Sequence, residues 1–182
     1  MDAIELLTTR QSTPRLQQPG PTESQLDTII AAGLRVPDHG GIQPFEFIIA
    51  QQAGLQTLAD HFVAAAKAEG GDEELLEKCA KMPFRAPMVI TIVAKVTAHP
   101  KVPALEQQLA AGCAVMAMQQ AAFALGLGAI WRTGGLAFNR HLHQRLELTD
   151  ADQIVGFLYI GTPAVKAPSK PSRKGDNVVR YL

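Results

Sequence analysis

The feature that most constrains this chain is one long apolar run, residues 109–131, LAAGCAVMAMQQAAFALGLGAIW. The run is long enough to cross a bilayer. Its apolar residues are mostly Ala and Gly, however, and Gln119 and Gln120 interrupt its middle before it passes directly into Arg132. A polar pair at the centre of a span is costly in lipid. The run therefore predicts a buried central helix that leads into a strand.

Periodicity along the rest of the chain predicts an α+β fold around one sheet, because helices and strands are mixed without the regular alternation of a doubly wound fold. Helices are predicted at 1–10, from the Thr22 capping box to Pro37, at 54–69, at 72–81, at 104–125 and after Asn139. Strands are predicted at 45–50, 88–96, 129–133 and 154–160, and the last twenty residues form an extended tail. No repeat or linker divides the sequence, so 1–182 is predicted to form a single domain.

Charge and cysteine usage restrict the partners and the compartment. The chain carries 17 basic and 17 acidic side chains, and this balance disfavours nucleic acid or an anionic membrane as a partner. The two cysteines, Cys79 and Cys113, form no Cys-x-x-Cys motif, and the N-terminus lacks the pattern of a signal peptide. These features predict a cytoplasmic protein.

Common catalytic signatures are absent from the sequence. It contains no Walker A motif, no His-Glu-x-x-His and no Gly-x-Ser-x-Gly. No metal site is expected, because the histidines lack further ligands nearby; His141 and His143 lie in a predicted polar helix and are expected to face solvent. Gly126 and Gly128 follow a helix and precede a strand, the reverse of the Rossmann order, so they are predicted to end the long helix.

Basic, polar and aromatic residues stand at the boundaries of the predicted elements. Each has a structural explanation alone: Arg10 as a helix C-terminal charge, Arg35 as a solvated side chain, Trp131 as part of the core. Together, several cations and an aromatic ring at loop junctions suit a flat anionic cofactor. The set comprises Arg10, Gln11, Ser12, Arg35, His39, Trp131, Arg132 and Thr133.

These residues carry a family resemblance. Arg10-Gln11-Ser12 resembles the Arg-x-Ser opening of nitroreductase-like flavoproteins, and residues 37–47, PDHGGIQPFEF, are similar to their Pro-Ser-x-x-Asn-x-Gln-Pro-Trp-x-Phe loop. Residues 112–132 resemble the long central helix and following strand, and residues 154–163, IVGFLYIGTP, the last core strand. The matches occur in the family's order along essentially the whole chain. They are closest to its compact, single-domain bacterial subgroup.

The resemblance implies a nitroreductase-like fold, with a central, mostly antiparallel sheet flanked by helices and a long buried central helix. It implies a homodimer that holds FMN at its interface, with NAD(P)H as electron donor and a nitroaromatic or quinone as acceptor. The boundary residues above would contact FMN. No catalytic side chain is expected, because the flavin performs the chemistry. The nicotinamide would stack near the end of the long helix, at Ala121, Ala122, Phe123, Ala124, Leu125 and Gly126.

Several points stay open in the sequence. Arg10 and Ser12 suit the FMN phosphate, and a cation near the ring would stabilise its reduced form, but Arg10, Arg35 and Arg132 are all candidates for either end. The basic tail residues Lys170, Arg173 and Lys174 loosely resemble a phosphate-binding element of the family, although a solvated tail is favoured. Alternative functions are dehalogenation, flavin fragmentation or enoate reduction on the same fold, a regulatory flavin-binding subunit, and a helical interaction module without cofactor.

Overall fold

The computed structural model describes residues 1–165, 171 and 178–182, so the basic tail residues Lys170, Arg173 and Lys174 lie outside the described part. Its centre is a five-stranded sheet in the order β1-β5-β3-β2, with β4 also paired to β5. Every pairing is antiparallel. The strands are β1 (Leu16–Gln17), β2 (Phe45–Gln51), β3 (Met88–Ala94), β4 (Gly128–Arg132) and β5 (Gln153–Pro163).

Six α-helices flank this sheet in the described residues. They are α1 (Ala3–Thr9), α2 (Glu23–Gly33), α3 (Ala53–Ala68), α4 (Glu73–Lys81), α5 (Ala104–Ala124) and α6 (Arg140–Arg145). The predicted α+β class and antiparallel sheet are confirmed, and so is the capping box, since Gln25 N donates to Thr22 Oγ1 over 3.3 Å. The helix that it opens ends at Gly33, before the predicted stop at Pro37. No helix in the described part is long and apolar enough to cross a membrane.

The sheet has a hydrophobic core on each face, and β3 contributes to both. Val89 and Val93 point into the core that includes α3, whereas Ile90 and Ile92 point into the core that includes α5. All seven residues of β3 are buried, which explains its unbroken apolar sequence. The buried face of α5 is rich in alanine, so this helix packs closely across the sheet and its C-terminus is directed at β4.

Two glycines make the connection from α5 to β4. Gly126 has a φ of +79°, the left-handed conformation with which a helix commonly ends. Gly128 allows a close approach, because a Cβ at this position would lie 2.6 Å from Leu16 Cδ2. The prediction that these glycines end the long helix is confirmed, and Gly128 also brings the segment before β1 against the start of β4.

A buried carboxylate joins the end of β3 to the turn before β5. Asp152 is 2% exposed, and its Oδ2 accepts hydrogen bonds from Lys95 Nζ over 2.6 Å and from Thr149 N over 2.9 Å. Burial raises the pKa of Asp152, but the hydrogen bonds from Lys95 and Thr149 outweigh it and the net pKa is lowered. The hydrogen bond to Asp152 raises the pKa of Lys95.

This arrangement predicts how stability depends on pH. A carboxyl whose pKa is lowered by folding stabilises the protein above its unfolded pKa of about 3.9, and this contribution is lost as the pH falls through the folded value. Asp152→Asn should lower the free energy of unfolding by about 1–2 kcal/mol at about pH 7, since Lys95 remains partly solvated. Urea unfolding should show the difference shrinking towards about pH 2, whereas the exposed control Asp150→Asn should have little effect at either pH. A constant difference across this range would contradict the role given to Asp152.

Candidate functional site

The segment from Arg10 to Thr13 runs along the outer edge of β4. Thr13 N donates a hydrogen bond to Ala129 O over 2.9 Å. Gln119, buried in α5, donates from Nε2 to Ser12 Oγ over 3.3 Å and to Ala129 O over 3.1 Å. The end of α1, the C-terminal part of α5 and β4 therefore meet at one place, which we call the β4 edge site.

Two arginines along β4, Arg10 beside its start and Arg132 at its end, have buried N–H groups without a partner in the described structure. Arg10 Nη1 and Arg132 Nε make no hydrogen bond although both atoms are buried. None of the ion pairs found in the described part of the chain includes an arginine. A guanidinium is permanently charged, and a buried donor without an acceptor is costly. The β4 edge site is therefore suited to an anionic ligand that accepts hydrogen bonds.

Trp131 and Arg132 project to opposite faces of β4. The indole of Trp131 lies on the α5 side, where a Cβ built on Gly112 would be 3.9 Å from its Cη2 atom. The guanidinium carbon of Arg132 lies 5.9 Å from the ring centroid of Tyr159, which belongs to the core on the α3 side. Trp131 remains 37% exposed, so it is not the fully buried core residue that its type alone suggests.

A β-bulge fixes the indole of Trp131. The pairing of β3 with β5 shifts register at Val93, and the carbonyl of Val155 accepts the indole N–H over 3.2 Å. The next residue, Gly156, leaves room for the ring, since a Cβ there would lie 2.2 Å from the indole nitrogen. Bulges and strand glycines often mark such close approaches. The sequence carries a signal for this feature, a single glycine inside the apolar run 154–160.

Filling the space at Gly156 is expected to displace the indole. Gly156→Ala should lower the free energy of unfolding by about 1–2 kcal/mol through overpacking. Trp131 is the only tryptophan of the chain, so its fluorescence reports the change directly, as a red shift and stronger quenching by acrylamide. Gly54→Ala is the matched control, because a Cβ there meets nothing closer than 3.9 Å. An unchanged emission spectrum in Gly156→Ala would show that the bulge does not hold the ring.

A groove of about 570 Å³ lies next to the β4 edge site, between α1, α2 and α5. Its wall is mostly apolar, with Arg35 as its cation and Gln120 as its uncharged polar residue. Of the predicted nicotinamide segment, Ala121 lines the groove, whereas Ala122 is fully buried in the core. The rest of that segment forms the end of α5 and the turn after it, with Phe123 and Leu125 half-buried and Ala124 and Gly126 exposed.

His39 lies at the other end of α5. Its Nδ1 atom is 2.5 Å from a carboxylate oxygen of Glu106, in the first turn of the helix. From Glu106 to Gln120 the helix rises about 21 Å, at about 1.5 Å per residue. Within one chain the structure therefore does not bring His39 to Arg10 and Ser12. Glu106 was missed by sequence reasoning, because nothing in the sequence pairs residues so far apart.

The loop that carries His39 is organised by Asp38. Its carboxylate accepts hydrogen bonds from Ile42 N over 3.2 Å and from Gln43 N over 2.7 Å. Gly40 lies inside the resulting turn with a φ of +78°. The carboxylate of Asp38 therefore closes this loop upon itself.

The remaining sequence-predicted residues take separate places. Gln11 is half-buried beside Ser12, and Thr133 is exposed immediately after β4. The prediction that His143 faces solvent is wrong: it is 2% exposed, with Nε2 3.1 Å from Ala137 O, because α6 packs against α3. Among the described residues no three His, Cys, Asp or Glu side chains come together as a metal site would require.

The sequence and the fold both match one known group of proteins. A family model described as the nitroreductase family matches residues 7–162. The Escherichia coli K12 protein named "Putative NAD(P)H nitroreductase YdjA" is 46% identical over 167 residues, which cover 92% of this chain and 91% of that protein. The solved structure of a nitroreductase-like family protein from Bacillus cereus matches with a TM-score of 0.86 at 19% identity, covering 100% of this chain and 96% of the other. A nitroreductase with bound FMN from Bacteroides fragilis matches with a TM-score of 0.74 at 18% identity, covering 100% of both chains.

Proposed function

Because the chain belongs to the nitroreductase family, we propose that it is an oxidoreductase that binds FMN non-covalently and passes electrons from NAD(P)H to a small acceptor such as a nitroaromatic or quinone. The observation that carries this proposal is the pair of buried, unpartnered donors, Arg10 Nη1 and Arg132 Nε. FMN has the groups that these donors lack, since its phosphate and ring carbonyls are hydrogen-bond acceptors. The FMN bound to the Bacteroides fragilis relative supports the choice of cofactor.

The placement of the side chains suggests a role for each. Arg10 and Ser12 would hold the 5′-phosphate, as a cation and a hydroxyl donor on one short segment. Arg132 would face the flavin ring from the end of β4, next to Trp131. A rigid strand suits this role, because charge stabilisation depends on a donor that is held in place before the reaction. Gln11 and Thr133 would add polar contacts beside these two anchors.

FMN, when bound, would supply two-electron chemistry: a hydride from NAD(P)H together with one proton from solvent would reduce an acceptor such as a quinone to the hydroquinone. The residues of the chain would bind and orient FMN and its substrates, and they would supply positive charge beside the flavin ring. Arg132 would stabilise the negative charge of the reduced ring, and the groove beside Ala121 and Arg35 would receive the nicotinamide and the acceptor in turn. No side-chain acid or base is required.

We further propose that two chains form a homodimer with FMN at the interface. An apolar stripe of α5 is exposed, with Leu105 at 64%, Leu109 at 58% and Met116 at 36%. Ile4 and Leu7 of α1 extend this apolar surface at 69% and 60% exposure. Surfaces of this kind mark protein interfaces. The distance of His39 from the β4 edge site of its own chain also supports a dimer, because His39 would then reach the cofactor held by the partner.

The dimer can be tested by placing a charge on the stripe. Leu109→Glu should reduce the mass measured by light scattering from twice the chain's 19.5 kDa to a single chain, and FMN should be lost with the interface. Leu75→Glu on α4 is the control, since Leu75 is 39% exposed and lies off the stripe. A wild-type protein that elutes as a monomer while retaining FMN would overturn the proposed interface.

The cytoplasm is the proposed site of action, and the whole chain is proposed to act as one FMN-binding domain. A reducing compartment suits the two free cysteines, Cys79 and Cys113, the second of which is exposed in the groove.

The test of function is an anaerobic titration of the purified, FMN-loaded protein. NADH or NADPH should bleach the flavin absorbance, and a nitroaromatic or quinone should restore it. Comparison of the two nucleotides and of a small acceptor panel would identify the donor and the acceptor class. A protein that fails to bind added FMN would refute the proposal, whereas bleaching without recovery by any acceptor would favour another chemistry on the same fold.

A further inference from the structure

Within the described part of the chain, an aromatic ring is the neighbour that can hold the guanidinium of Arg132. Among the described residues it pairs with no carboxylate, and its Nε atom has no hydrogen-bond partner. Its contact is with the ring of Tyr159, whose centroid lies 5.9 Å from the guanidinium carbon. This distance is within the range in which a cation is attracted to an aromatic face. A long, flexible side chain is thereby held by a ring and not by a countercharge.

Strand register explains why the ring of Tyr159 can reach the guanidinium of Arg132. Ile130 is paired with Tyr159 and Arg132 with Phe157, so Tyr159 is the diagonal neighbour of Arg132 on the same face of the sheet. Diagonal neighbours on paired strands are within reach when one side chain is aromatic and the other is long. The ring itself is fixed, since Tyr159 is 3% exposed and packed in the core.

The phenol of Tyr159 stays neutral at ordinary pH. Burial raises its pKa, although Arg85 and Arg132 act in the opposite direction. Arg132 therefore meets the face of a neutral ring and keeps its positive charge uncompensated. That charge remains available to a ligand that reaches the end of β4.

We propose that Tyr159 is a positioning residue that holds the Arg132 guanidinium towards the flavin and so favours reduced over oxidised FMN. The inference rests on the proposed FMN-binding function. A cation held in place stabilises the negative charge of the reduced ring more than it stabilises the neutral oxidised ring. Without the aromatic face, Arg132 keeps its charge but loses its fixed position. Tyr159 thus raises the flavin potential without touching the flavin.

The test compares Tyr159→Phe with Tyr159→Leu in FMN-loaded protein. Phenylalanine keeps the aromatic face, so the ratio of the affinities for reduced and oxidised FMN should stay at the wild-type value. Leucine removes the face, and the ratio should fall by about threefold to tenfold. Tyr159→Met, whose longer and unbranched side chain adapts better to the space of the ring, serves as a second non-aromatic variant if leucine impairs folding. The ratio follows from the midpoint potential of the bound flavin relative to that of free FMN, measured against a reference dye. Quenching of Trp131 reports the affinity for oxidised FMN separately.

A double-mutant cycle separates positioning from packing. Arg132→Gln should lower the same ratio, and adding Tyr159→Leu to Arg132→Gln should lower it no further. The inference fails if the leucine effect is as large without Arg132 as with it, or if phenylalanine behaves like leucine. A wild-type chain that binds no FMN would overturn both the inference and the proposed function. Normal FMN binding with an unchanged ratio in both non-aromatic variants would overturn the inference alone.

Discussion

Replacing Arg10 with alanine is expected to weaken FMN binding by roughly ten- to a hundredfold, the usual cost of removing a charged hydrogen-bond donor. Arg10 follows α1 directly, and its Nη1 atom is buried without a partner in the described structure. The neighbouring Ser12 is already held by Gln119, so its hydroxyl stays in place when Arg10 is removed. The variant should fold normally and lose flavin on a desalting column. Equilibrium dialysis gives its dissociation constant.

Arg15→Ala is the matched control for this measurement. Arg15 lies on the same segment, is exposed, and contributes its backbone carbonyl to Ala164 N. Its replacement should leave the FMN dissociation constant within about twofold of the wild-type value, because an exposed cation contributes little. Equal retention of FMN by Arg10→Ala and wild type would show that Arg10 does not hold the phosphate. Arg35 and Arg132 would then be the remaining candidates for that role.

Local pattern was sufficient for most of the fold. The long alanine-rich run became α5, and the unbroken apolar run 88–96 became β3 at Met88–Ala94. Both follow from burial on two sides, which leaves a strong signature in sequence. The two-residue strand β1 was missed because so short a strand has no periodicity. His143 was misjudged because the packing of α6 against α3 is not visible in the polar sequence of α6.

Part of the candidate site could also be predicted from local sequence. Arg10, Ser12 and Arg132 stand out as polar residues at element boundaries, where binding residues are often found. The residues that support them do not stand out. Glu106 lies 67 positions from His39, and Tyr159 looks like an ordinary residue of a core strand. Their roles arise only from strand register and long-range contacts, which residue type and spacing do not encode.

Polar residues inside α5 show the difference between what residue type indicates and what only the long-range contacts reveal. Gln119 and Gln120 argued against a membrane span in the sequence, and in the structure each has a separate use. Gln119 joins Ser12 to β4, whereas Gln120 faces the groove. A buried amide that is fully hydrogen-bonded specifies one arrangement of the segments that it joins. The same reasoning applies to a third glutamine, at the N-terminal end of the helix.

Gln107→Leu is expected to lower the free energy of unfolding by about 2–3 kcal/mol, since it removes several buried hydrogen bonds at once. Gln107 is 0% exposed. Its Nε2 donates to Thr97 O over 2.8 Å and to Val102 O over 2.9 Å, and its Oε1 accepts from Thr97 N over 2.9 Å. Leucine has a similar size but satisfies none of these backbone groups. Urea unfolding followed by circular dichroism measures the change.

Gln108→Leu controls for the loss of an amide at the adjacent position of α5. Gln108 is half-buried, and its side chain makes no hydrogen bond within the described part of the chain, so its replacement should change stability by less than about 0.5 kcal/mol. The effect of Gln107→Leu should also reach the His39 loop, because Val102 packs beside Gly40, where a Cβ would lie 3.4 Å from Val102 Cγ2. Hydrogen exchange should therefore rise in residues 97–102 and in the loop around His39. Equal stability of the two variants would mean that water replaces the Gln107 amide and that the loop is held by Asp38 and Glu106 without it.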